Sequence, residues 1–144
     1  SSKKENFKIG KGILKKKPGK ILFVSTGVMT QKTLEAAKEI RTKGLSCGVL
    51  HMATIKPLDK EILSFWIPKV EKIITVEENI LAGGFGSSIL EFTSEYFPNH
   101  LHKISRIGLP DRFVEKYGSQ DELCNDNGLT VKNICNLAKN TLGI

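Results

Sequence analysis

Two hydrophobic periods alternate along the chain. Residues 20–25 (KILFVS) form an apolar run of strand length, and residues 31–43 then place Leu34, Ala36, Ala37 and Ile40 at helical spacing. Thr30 is positioned to cap that helix and Gly44 to stop it. The pattern recurs. Residues 47–52 read as a second strand, and a short helix over about 60–65 is entered through Lys56-Pro57-Leu58-Asp59 and ended by Pro68. Residues 72–76 are a third strand, leading through a glycine loop into a helix over about 87–96, and residues 104–109 are a fourth strand.

Beyond that strand, Ser119-Gln120-Asp121-Glu122 reads as a capping box, with Ser119 as N-cap and Glu122 reaching back. Thr130 caps a final amphipathic helix whose apolar face is Ile134, Leu137, Ala138 and Leu142, stopped by Gly143. Strands alternating with helices of these lengths predict an α/β fold: an open, mostly parallel sheet with helices on both faces. Lys15-Lys16-Lys17-Pro18-Gly19 is turn-like, so residues 8–14 are expected to fold back as a fifth, antiparallel strand at the edge. Lysines there discourage edge-to-edge aggregation. The expected organisation is a basic, flexible leader over residues 1–6 and a single domain over residues 7–144. A chain of 144 residues suffices for one domain with its own core.

Charge changes this picture little. The net charge is +7, and residues 1–20 hold eight lysines against Glu5 alone, while the rest of the chain carries fourteen basic and fourteen acidic side chains. A basic arm on a neutral body reads as solvated before it reads as polyanion-binding, and no aromatic residues interleave Lys15–Lys17 as a stacking platform would require, so no nucleic-acid partner is expected. Cys47, Cys124 and Cys135 are odd in number and lack metal-ligand or CxxC spacing, which predicts a reduced, cytoplasmic setting. No apolar run approaches the ~18 residues of a membrane span, and no signal-peptide core opens the sequence, so no membrane partner is expected.

In an open α/β sheet, ligands gather at the carboxyl ends of the strands, and the candidate chemistry of this chain falls there. Gly83, Gly84 and Gly86 free the backbone for close approach, and the helix start with Ser87 and Ser88 could offer donors to an anion. The same glycines would equally serve tight packing, and they lack both GxGxxG and GK[ST] spacing. Glu77 and Glu78 suggest paired carboxylates. A strand continuing through them would send adjacent side chains to opposite faces, leaving at most one in the crevice, to accept loop amides or meet a cation at an interface. Asp111 and Arg112, after Pro110, could meet a substrate or partner or form a capped surface turn. His100 and His102 lack an identifiable third metal ligand. His51 is expected as a hydrogen-bonded, half-buried residue and Cys47 as core. No metal site and no catalytic residue is assigned.

Several segments carry a resemblance: Phe7-Lys8-Ile9-Gly10-Lys11, Ser25-Thr26-Gly27, Thr54-Ile55-Lys56-Pro57-Leu58-Asp59, Val76-Glu77-Glu78-Asn79, Gly83-Gly84-Phe85-Gly86-Ser87, and Ile107-Gly108-Leu109-Pro110-Asp111-Arg112-Phe113 with Gly118-Ser119 and Gly128-Leu129-Thr130. From Phe7 onward the chain resembles the carboxy-terminal domain of the transketolase superfamily, leaning toward 1-deoxy-D-xylulose-5-phosphate synthase or a split transketolase. The resemblance implies a parent of three α/β domains. Thiamine diphosphate and Mg would be held between its first two domains across a dimer interface, and the third would support assembly. Nothing in this sequence matches the GDG-type diphosphate motif or the glutamate that activates the thiamine ring. The resemblance therefore implies no cofactor in this chain, the cofactor-binding domains or subunit and a second copy as partners, and no activity in isolation. The alternative is a small regulatory domain binding a phosphorylated metabolite or nucleotide at the Gly83 to Ser88 loop.

Overall fold

A computed structural model describes residues 12–27, 29–52, 58–80, 84–109 and 130–144, with the side chains of 78–80 and 109 left out. The leader, the Ser119 capping box, Gly83, Asp111 and Arg112 lie outside the described residues. The described elements are β1 (Gly12–Lys16), β2 (Ile21–Thr26), α1 (Met29–Arg41), β3 (Cys47–Met52), α2 (Lys60–Trp66), β4 (Lys72–Ile80), α3 (Phe85–Tyr96), a 3-10 helix (Pro98–Lys103), β5 (Ile104–Leu109) and α4 (Val131–Leu142). The strands form one five-stranded sheet in the order β1-β3-β2-β4-β5. β1 runs antiparallel to β3 at the edge, and the other pairs are parallel, as the pattern predicts.

The central strands β2, β3 and β4 are buried on both faces, so they read as continuous apolar runs instead of alternating ones. Ile21 and Phe23 of β2 meet Ala36, Ala37 and Ile40 of α1 and Ile134 and Ala138 of α4 on one side. Leu22 and Val24, one residue out of phase, meet Leu63 of α2 and Phe85, Ile89 and Phe92 of α3 on the other. Each of the Leu, Ile, Val and Phe side chains among these, fully buried, contributes roughly 1.5–3 kcal/mol. The connection from β2 reaches β3 on one flank, whereas the connection from β3 returns past β2 to β4. The topology therefore reverses between β2 and β4, and their carboxyl ends, beside the starts of α1 and α3, are where ligands of open α/β sheets gather.

Five local expectations are corrected. Thr30 is the second residue of α1 instead of its cap, because its hydroxyl is drawn to buried polar partners and its N–H bonds to the Gly27 carbonyl at 3.1 Å. β4 runs past residue 76 to Ile80, and α3 begins two residues early, at Phe85. β1 extends through Lys15 and Lys16, which the sequence reading gives to a turn. On α4, Cys135 is buried and Leu137 is 41% exposed, because the stripe facing α1 follows Val131, Ile134, Cys135, Ala138 and Leu142. Thr130 does cap α4, accepting the Asn133 N–H at 3.1 Å, and Gly143 ends it at φ 77°, where a side chain would be strained.

Candidate functional site at the strand carboxyl ends

Two polar clusters lie at these strand ends. Near the start of α1, Ser25 of β2 and His51 of β3 are register partners, and Thr30 sits over them. The Thr30 hydroxyl lies 2.8 Å from Ser25 Oγ and 2.6 Å from His51 Nδ1, with all three side chains buried. A hydroxyl carries one proton and two lone pairs, so Thr30 donates to at most one of these neighbours. His51 is thus the hydrogen-bonded strand residue that the sequence predicts.

At the end of β4, Glu77 is fully buried. Its Oε1 accepts the Phe85 N–H and its Oε2 the Gly86 N–H, each at 2.8 Å. These amides belong to the first turn of α3, where helical N–H groups have no intrahelical partner. A carboxylate at a positive helix end is stabilised by the dipole and by charge-assisted hydrogen bonds. That capture explains why the helix starts early. Burial nevertheless pushes the Glu77 carboxyl above its ordinary range, opposed by the Gly86 and Phe85 amides and by the Arg106 guanidinium.

Geometry around Gly86 is tight. A Cβ placed there would come within 2.7 Å of Thr75 Oγ1 and 2.8 Å of both Arg106 Cδ and Glu77 Oε2. Thr75 and Arg106 are register partners on β4 and β5, so their side chains lie on the α3 face together. Arg106 also donates to Ser87 Oγ at 2.9 Å. The β4–β5 register shifts between Val76 and Ile80, an irregularity at the residues that follow the paired strand.

The structure thus brings Glu77, Gly86 and Ser87 into one cluster, with Gly84 preceding α3 as its N-cap residue. Glu78 lies on β4 next to Glu77 with its side chain outside the description. Gly86 serves close packing here, since the Glu77 carboxylate sits on the Phe85 and Gly86 amides where a Cβ would intrude. Thr75 and Arg106 escaped the sequence reading; the available signal was a lone cation and a lone hydroxyl inside otherwise apolar strands. Asp59 was read only as punctuation. It is buried, caps α2 through the Ile62 N–H at 3.1 Å, and accepts the Gly12 N–H of the edge strand at 2.7 Å. Cys47 is buried in the core as expected, its thiol pushed up to about 11 by burial and drawn back slightly by Arg41. Among the described residues no group of three His, Cys, Asp or Glu could hold a metal ion, and no helix is long and apolar enough to cross a membrane.

Fold and site define a doubly wound α/β domain whose strand-end polar groups pair with one another. The family model for the transketolase C-terminal domain matches residues 10–134, and the chain belongs to that family, whose full-length members include transferase-type enzymes. It is 40% identical over 124 residues to the 1-deoxy-D-xylulose-5-phosphate synthase of Bacillus velezensis, covering 85% of this chain and 19% of that protein. For the same enzyme of Heliobacterium modesticaldum the identity is 38% over 131 residues, covering 91% and 20%. Among solved structures, a split-gene transketolase described as an inactive beta4 tetramer matches with a TM-score of 0.80 and 30% identity, over 96% of this chain and 44% of that one. A Pichia stipitis transketolase shares the fold at a TM-score of 0.60 and 20% identity. The chain spans about one-fifth of the curated relatives' length.

Proposed function

We propose that this chain is the carboxy-terminal assembly portion of a thiamine-diphosphate-dependent enzyme of the transketolase type, which transfers two-carbon or 2-oxoacid-derived units to sugar phosphates in the cytoplasm. The reading is carried by the match of nearly the whole chain to only about one-fifth of each synthase relative. In this reading thiamine diphosphate and Mg are held by domains or a subunit beyond this chain, and the domain supports a homodimer and packs against those partners. The described residues do not fit the diphosphate: the α3 start, the natural seat for an anion at the strand ends, is taken by Glu77. No chemical step is assigned to this chain.

Titration calorimetry of the isolated chain with thiamine diphosphate and Mg²⁺ is the test, followed by addition of the polypeptide that carries the cofactor domains. A silent titration, with transferase activity only in the mixture, is expected. Saturable micromolar binding by the chain alone would sink the proposal.

A further inference from the structure

We infer that the start of α3 forms a carboxylate-binding site whose resident ligand is Glu77, so that removing this side chain leaves a site for a small free carboxylate. Phe85 and Gly86 present their N–H groups to separate oxygens of one carboxylate, both at 2.8 Å, in a setting with no solvent exposure. The contact joins residues eight and nine positions apart and fastens the end of β4 to the start of α3. Arg106 supplies a counter-charge to the same carboxylate. The Thr75 hydroxyl, fully buried and without a hydrogen-bond partner, approaches Gly86 from beneath. The absence of a Cβ at Gly86 gives the carboxylate its room. Two donors and the room left by Gly86 therefore match the shape of a planar carboxyl group, and the chain provides one from its own strand. This inference does not depend on the proposed role in assembly.

Truncation of Glu77 to Ala removes Cγ, Cδ and both oxygens, the heavy-atom outline of acetate. The experiment is thermal unfolding of the 144-residue chain, wild type and Glu77→Ala, in sodium acetate and in sodium chloride of equal ionic strength near neutral pH. The variant should unfold at lower temperature, and acetate at about ten times its Kd should raise that midpoint by roughly 3–6 °C, saturably. Chloride should not, and the wild type, its site filled, should respond to neither. Equal response of variant and wild type, or no response of the variant, overturns the inference. Should Glu77→Ala fail to fold, Glu77→Gln decides the matter. Its amide turns one N–H₂ toward a backbone N–H, so the Phe85 or Gly86 amide resonance must move and exchange faster with solvent. Two unmoved resonances refute the resident carboxylate.

Discussion

Thr30→Val isolates the cluster at the start of α1. Valine keeps the β-branched shape, so helix propensity and packing change little, while the hydroxyl bonded to Ser25 at 2.8 Å and to His51 at 2.6 Å is lost. Ser25 is 0% exposed and cannot turn to water. A buried polar group left without its partner costs about 1–3 kcal/mol, so two such groups amount to roughly 2–4 kcal/mol after partial relaxation. For a domain of this size the midpoint of thermal unfolding should fall by about 10 °C, with urea unfolding at equilibrium giving the free energy directly. Ser25→Ala removes one end of the chain and leaves Thr30 able to donate to His51, so it should cost less. The double variant should show a coupling of about 0.5 kcal/mol or more. A loss below about 0.5 kcal/mol for Thr30→Val, or a larger loss for Ser25→Ala, would refute the reasoning.

Glu77 should impose a pH dependence of its own. Its carboxyl is raised above the ordinary 4.5 chiefly by burial, so the folded chain holds that proton more tightly than the unfolded chain; this contribution to stability is complete below the unfolded value and is lost as pH rises through the folded one. Comparing the stability of wild type and Glu77→Gln across that window should reveal a downward slope with rising pH that only the wild type shows, and parallel curves would contradict it. Gly86→Ala should destabilise by about 1–3 kcal/mol, because its Cβ would lie 2.7–2.8 Å from Thr75, Arg106 and Glu77; an unchanged denaturation midpoint would show that the neighbours yield freely. Cys47, buried and with its thiol held at about 11, should resist iodoacetamide in the native state and react on unfolding, as mass spectrometry of the labelled peptide can read. Rapid native labelling would contradict that placement.

Much of the architecture was legible because it rests on period. The runs at residues 20–25, 47–52 and 72–76 have strand length and no alternation, as strands covered on both faces do, and helical spacing between them implies crossovers and hence parallel pairing. The α4 boundaries were legible for a different reason, since Thr130 and Gly143 carry cap chemistry in their own side chain and backbone. The Glu77 and Glu78 pair was half legible. Alternation along a strand forbids an acid/base dyad, and loop amides were one expected partner for the inward carboxylate, yet which glutamate turns inward depends on the phase and irregularity of β4.

Sequence alone determined the α/β class, the antiparallel edge strand and the position of the glycine loop, because each follows from interactions between residues close along the chain. Only the tertiary structure decided what the polar residues do. Thr30 is a local cap by its neighbours and a partner of His51, twenty-one residues away, by the sheet. Glu77 is one of two adjacent acids by sequence and a buried ligand for α3 once β4 and that helix are packed. Burial makes an unpaired polar group costly, and burial is set by elements distant in sequence.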